Sequence, residues 1–184
     1  MQQIPTRILG LLGSSRKGGN TDTLTSAVFE HLSNARLIDL GDYSIAPYDY
    51  QHRYVADGFI PLARLMAKAD AIVFASPVYW YSMSAPMKTF FDRLTDLTES
   101  HKELGRQLAG KTVFVISTSS GPTAPVSFEQ PFSETARYFK MHWGGMLHAV
   151  LTDDCQLPEG ASDNAKGFAA RIEASIVQAN PITA

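Results

Sequence analysis

Cysteine is almost absent from this chain: Cys155 is the only one in 184 residues. A lone thiol rules out an intrachain disulfide framework and every multi-cysteine zinc or iron–sulfur site, and it suits a reducing compartment. An excess of either charge is missing too. Lys and Arg number 16 against 18 Asp and Glu, a net charge of −2, and no basic run is present that would neutralise a row of phosphates. Nucleic acid is therefore not an expected partner. The apolar runs, Ala71 to Ala75 among them, fall far short of the ~20 residues of a membrane helix, and Met1 to Pro5 carries no basic-then-apolar leader pattern. We expect a cytoplasmic protein without a membrane partner.

The signatures of hydrolytic, helix-borne zinc and thiol-redox chemistry are lacking as well, since no G-x-S-x-G, H-E-x-x-H or C-x-x-C occurs. The five histidines, His31, His52, His101, His142 and His148, have no metal-ligand spacing. Each reads as a surface or satisfied core residue, and no metal is expected. His52 stands apart because Tyr43, Tyr48, Tyr50 and Tyr54 surround it, in a loop placed to overhang a neighbouring site. A packed surface loop is the plainer reading of it.

What the chain does have is 45% hydrophobic residues against 18% charged, the composition of a globular protein, in a length that buries roughly 70% of its unfolded surface. No linker, repeat or low-complexity segment interrupts it, so a single domain over residues 1–184 is expected. Short aliphatic runs alternate with stretches of helical period, the pattern of a parallel α/β sheet. Ile8 to Leu12 reads as the first strand, followed by a helix with Leu24, Ala27, Val28 and Leu32 on one face, capped by Asn20 or Thr21. Arg36 to Leu40 reads as the second strand. A helix bearing Phe59, Leu62, Ala63 and Met66 follows a long loop, with Pro61 in its first turn. Ala71 to Ser76 is a central strand covered on both sides. Met87, Phe90, Phe91, Leu94 and Leu97 then form the apolar stripe of a helix capped by Ser84. Thr112 to Ser117 and Met146 to Leu151 complete the strands. The helix between them, with Phe132, Ala136 and Phe139, starts after Ser127 or at Pro131; Ala165, Phe168, Ala169, Ile172, Ile176 and Ala179 line the last one.

Parallel strands deliver their following loops to one edge, where ligands bind at the reversal of strand order. The first such loop, Gly13-Ser14-Ser15-Arg16-Lys17-Gly18-Gly19-Asn20-Thr21, ends on a helix N-terminus whose free N–H groups suit an anion. Ser14 and Thr21 offer hydroxyls, Asn20 an amide and Arg16 a planar fork for phosphate oxygens. A Walker A loop fails, because Gly19 and Asn20 stand where Lys and Ser/Thr are needed. The dinucleotide fingerprint is incomplete, although Asp39 sits where a ribose-binding acid would, and a dinucleotide Rossmann domain stays open. The second loop places Tyr79, Trp80 and Tyr81 after Ser76-Pro77-Val78, fit to flank a flat ring. The third, Thr118-Ser119-Ser120-Gly121-Pro122, offers N–H groups and hydroxyls. Singly, the first reads also as a helix-capping turn and the others as packed turns; together they describe a site for a phosphorylated, ring-bearing cofactor.

Gly13-Ser14-Ser15-Arg16-Lys17-Gly18-Gly19-Asn20-Thr21, the run from Ala69 to Trp80, and Ser84 to Arg93 with its Lys-x-Phe-x-Asp-Arg pattern resemble the NAD(P)H-dependent FMN reductase family of flavodoxin-like proteins, from about Ile8 to Leu151. The resemblance implies a three-layer sandwich around a five-stranded parallel sheet in the order 2-1-3-4-5, with FMN bound non-covalently. By position, Ser14, Arg16, Asn20 and Thr21 would hold its phosphate, Pro77, Val78, Tyr79 and Trp80 would border the isoalloxazine, and Ser119, Ser120 and Gly121 would meet its polar edge. Relatives with iron–sulfur clusters carry cysteines where this chain has Tyr48 to His52, so it holds no such cluster. Flavodoxins are strongly acidic and lack an arginine in the phosphate loop, which disfavours a one-electron shuttle. The expectation is an FMN-dependent oxidoreductase that passes hydride from NAD(P)H, as co-substrate, to a flavin, quinone or azo acceptor, with no catalytic acid or base required. The rival is an FMN-binding electron carrier or regulatory protein. The resemblance also implies homodimers or homotetramers.

Overall fold

The computed structural model describes residues 6–53, 56–152 and 154–179; the expectations on Met1 to Pro5, on Tyr54 and on the side chain of Ala179 lie outside the described residues. The centre of the sheet is built from β1 (Ile8–Leu12), β3 (Ala71–Tyr79) and β5 (Thr112–Thr118), whose aliphatic runs are buried on both faces. Side chains alternate across the sheet. Leu9, Leu11, Ile72, Phe74, Val113 and Val115 enter one core. There they meet α2 (Phe59–Lys68), α3 (Ala85–Arg93) and α5 (Val126–Tyr138), through Leu62, Phe90 and Phe132 among others. Ile8, Leu12, Val73, Phe114 and Ile116 enter the opposite core under α1 (Asn20–Phe29) and α6 (Ala161–Ala179). A short α4 (Lys102–Arg106), unforeseen in the sequence, follows the 3-10 turn that continues α3.

With β2 (Ala35–Asp39) and β6 (His142–Ala149) at the edges, the main strands run β2-β1-β3-β5-β6, all parallel. Counting these alone, this is the expected order. One extra strand, β4 (Ser82–Met83), folds back antiparallel on the end of β3.

Boundaries differ from expectation for physical reasons. β2 ends at Asp39, where the carboxylate accepts the Gly41 N–H and starts a 3-10 turn at Leu40. β3 runs on through Pro77, Val78 and Tyr79, because Pro77 still pairs with Thr118 and Tyr79 with Ser82. β6 begins at His142 and stops at Ala149. Gly144 falls in a register shift opposite Val113 and Phe114, where a Cβ would lie 2.4 Å from the Phe114 ring. A Gly-Gly pair that looks like a break is thus a bulge within an edge strand. α5 starts at Val126, one residue past Pro125, and carries Pro131 inside it; neither Ser127 nor Pro131 starts the helix. α1 is preceded by Gly19 at its N-cap, with neither Asn20 nor Thr21 capping it, whereas Ser84 does cap α3, accepting the Met87 N–H at 3.3 Å.

Candidate functional site

Strand order reverses between β1 and β3, and the loops after β1, β3 and β5 converge at their C-terminal ends. The first loop is anchored from below. The Gly13 N–H bonds the Ala75 carbonyl at 2.8 Å, and the Ser84 hydroxyl donates to the Gly13 carbonyl. A Cβ on Gly13 would sit 2.9 Å from the Met87 Cβ, so glycine lets α3 pack directly on the loop root. Ser14 turns inward on the loop itself, donating to the Arg16 carbonyl at 3.0 Å and accepting the Arg16 N–H at 3.3 Å. Gly18, at φ +63°, donates to Asp22 at 2.9 Å.

Lys17 pairs with Asp42, whose hydrogen bond raises the lysine pKa and holds the ammonium toward the end of β2. Arg16 is exposed. Its Nη2 donates to the Cys155 Sγ at 3.4 Å, and its Nε lies 2.8 Å from where a Gly19 Cβ would be, so the guanidinium lies beside the N-terminus of α1.

That N-terminus is open. No side chain caps it, and the first intrahelical bond is from Thr23 N–H to the Gly19 carbonyl, which leaves the preceding N–H groups without a helical acceptor. The Thr21 hydroxyl, buried, meets the Thr118 hydroxyl at 2.7 Å and ties the helix start to the end of β5. The Oδ1 of Asn20 is buried with no hydrogen-bond partner. Such an atom costs stability unless a ligand answers it. A half-turn of the carboxamide exchanges Oδ1 for Nδ2, so the position serves a hydroxyl or a phosphate oxygen. Open N–H groups, an orphaned amide and an adjacent arginine fit the phosphate end of FMN.

Beside this cradle β3 ends in a two-residue hairpin. Pro77 is buried and Val78 partly so, while Tyr79, Trp80 and Tyr81 are 47%, 92% and 67% exposed. Trp80 and Tyr81 both adopt positive φ, +48° and +66°, the geometry of a type I′ turn that ordinarily takes Asn-Gly. Ser127 of α5 donates to the Tyr81 carbonyl at 3.1 Å and pins the tip.

In the third loop Ser119 is half-buried and Ser120 exposed. The Ser119 hydroxyl donates to the Gly121 carbonyl and accepts the Gly121 N–H, both at 3.1 Å. His148, a residue that spacing did not single out, bonds Ser117, Ser119 and Gly121 from β6. Its signal lay in the register that sets Ser117 opposite His148.

His52 does not join this edge. It faces Asp96 and Glu99 at 3.7 Å each, beyond the far end of α3, with Tyr48 bonded to Glu99 at 2.9 Å. Burial, followed by the Glu99 bond, pushes the Tyr48 hydroxyl up to about 12. A 470 Å³ cavity there reaches down to Arg93. That buried guanidinium holds Asp57 and, at 2.8 Å, Asp96. The described part of the Tyr-rich loop lies at the surface, with Tyr43 and Tyr48 half-buried and Tyr50 exposed. Among the described residues no group of three metal-binding side chains occurs, and no helix is long and apolar enough to cross a membrane.

A family profile described as NADPH-dependent FMN reductase matches residues 6–146. This chain belongs to that family. YwqN of Bacillus subtilis (strain 168), named as an NAD(P)H-dependent FMN-containing oxidoreductase, is 29% identical over 119 residues, 60% of this chain and 65% of the relative. The chain thus spans just under two thirds of YwqN. KefG of Enterobacter sp. (strain 638), a glutathione-regulated potassium-efflux system ancillary protein, is 29% identical over 153 residues, 76% of this chain and 77% of KefG. Among solved structures, the Trp repressor binding protein of Bacillus subtilis has the same fold, with a TM-score of 0.68 at 22% identity over 88% of this chain and 96% of that one. The flavodoxin-like fold of this FMN reductase family member is therefore established.

Proposed function

We propose that this protein is an FMN-dependent NAD(P)H oxidoreductase. The observation that carries this reading is the open N-terminus of α1, with the unpartnered Asn20 carboxamide, at the strand-order reversal. Bound FMN would supply the redox chemistry, hydride transfer from NAD(P)H and two-electron reduction of a flavin, quinone or azo acceptor. In this reading Ser14, Arg16, Asn20, Thr21 and the first N–H groups of α1 hold the phosphate. Pro77, Val78, Tyr79 and Trp80 border the ring and exclude water, and Ser119, Ser120 and Gly121 face its polar edge, where N–H donors favour negative charge. No side chain acts as acid or base, and no metal takes part. Residues 1–184 act as one flavin-binding unit in the cytoplasm, where NAD(P)H is supplied, with small molecules as partners and neither nucleic acid nor membrane. The chain forms a homodimer or homotetramer, which light scattering tests.

Purified protein is expected to be yellow and to release FMN, not FAD, on denaturation. Anaerobic NADPH or NADH should bleach it within seconds. A colourless protein that FMN does not reconstitute would overturn the reading. Similarity to KefG over 77% of its length supports a second reading, a regulatory flavin-binding subunit; flavin that stays oxidised under NAD(P)H selects it.

A further inference from the structure

We infer that His148 is a positioning residue for the polar edge of the flavin site, acting through the Ser119–Gly121 loop; the inference rests on the FMN reading above. Its Nε2 lies 3.0 Å from the Gly121 carbonyl, which only accepts. In the neutral ring the proton therefore sits on Nε2. The opposite tautomer would set two lone pairs against each other. Nδ1, 2.9 Å from the Ser117 hydroxyl, then accepts its proton. Nε2 also lies 3.2 Å from Ser119 Oγ, whose own proton goes to Gly121. One imidazole thus fastens the end of β5 to the turn beyond it.

This network has a consequence for the site. The N–H and carbonyl of Gly121 are both held by partners in the network, so the clamp fixes Ser119 and Gly121 in place with exposed Ser120 between them. Unclamped, the loop has to be ordered by the ligand, which weakens binding, and its dipoles no longer stand ready where reduced flavin carries charge.

The test uses the full chain as apo-protein and FMN itself. Long-range proton–nitrogen spectra of the apo-protein at mildly alkaline pH should show His148 protonated on Nε2; protonation on Nδ1 overturns the inference. FMN titrated by fluorescence quenching should bind His148→Ala about tenfold more weakly. A tenfold loss of preference for reduced over oxidised FMN would lower the two-electron midpoint potential by about 30 mV. His148→Gln, which keeps a donor and an acceptor at similar positions, should recover both. If His148→Ala binds FMN as the wild type does, or if Gln fails to rescue while melting remains normal, His148 has no positioning role. A wild-type chain that takes no FMN overturns the flavin reading instead, whatever the tautomer.

Discussion

Arg16 is the residue on which the phosphate cradle is most open to measurement. It lies beside the first turn of α1, held by Cys155, an acceptor far weaker than a phosphate oxygen. Exchanging one for the other is a side-chain movement, so Arg16→Ala should weaken FMN binding by about 1.5 to 3 kcal/mol, or roughly tenfold to 150-fold. Bleaching by NAD(P)H should stay near the wild-type rate once the variant is saturated with FMN. An unchanged dissociation constant would leave the cradle to Ser14, Asn20, Thr21 and the backbone. Cys155→Ser is the control: its hydroxyl still accepts the guanidinium, and FMN binding should persist. Asn20 makes a prediction of opposite signs. Its buried Oδ1 has no partner, so Asn20→Ala should leave the apo-protein as stable or up to about 1 kcal/mol more stable, while FMN affinity falls; loss of both would mean that Asn20 is structural. That Arg16 and Asn20 share one loop at a helix start was legible in the sequence, because a Gly-rich run leads into a stretch of helical period. The role of Ser14 as a turn-closing hydroxyl and the clamp from His148 were not, since both depend on contacts that only the folded loops create.

At the scale of elements, the β3–β4 hairpin conflicts with its own turn. Non-glycine residues in left-handed conformation cost about 1–2 kcal/mol each, and Trp80 and Tyr81 are both exposed, so packing returns little of that. Replacing them with Asn-Gly should stabilise the protein by roughly 2 kcal/mol, a rise in Tm of about 4 to 8 °C for a chain of this size. An unchanged or lowered Tm would mean that the aromatics pack more than their exposure indicates. The sequence made this segment look like a loop because no Asn-Gly marks the turn. The strands at the sheet centre were legible to the residue at their starts, since burial on both faces demands unbroken apolar runs, while β3 continues three residues past its run. The edge strand β6 was not: exposed His142, half-buried Trp143 and the glycine bulge carry no such run, and the aliphatic Met146–Leu151 drew the expected strand four residues too late.

Across the whole molecule, Arg93 joins parts that the sheet does not. Its guanidinium, 1% exposed, bonds Asp57 at the entry to α2, Asp96 beyond α3, and the Ala46 carbonyl in the loop after β2. Burial pushes Asp57 up, but the Arg93 hydrogen bond and the Ala46 and Phe59 N–H groups outweigh it and hold its pKa below the ordinary carboxylate value; burial likewise opposes the Arg93 charge, and its two carboxylates restore it. A carboxylate with a lowered folded pKa contributes stability that is complete above its unfolded value of about 4 and lost as pH falls through the folded one. Wild-type stability owed to Asp57 should therefore be flat from neutrality to about pH 4 and decline below it. Arg93→Ala strands two buried carboxylates beside each other, at a cost of about 3–5 kcal/mol near neutrality. The Asp57 pKa, no longer lowered by Arg93, then rises, the folded state takes up protons before the unfolded one does, and the variant gains stability on acidification toward about pH 4. Urea unfolding of both proteins at neutral and mildly acid pH should show their difference narrowing as pH falls. A constant difference would mean that the variant fails through lost stacking of the Arg93 guanidinium over the Phe59 ring, and that charge compensation by the two carboxylates is not what binds these three segments.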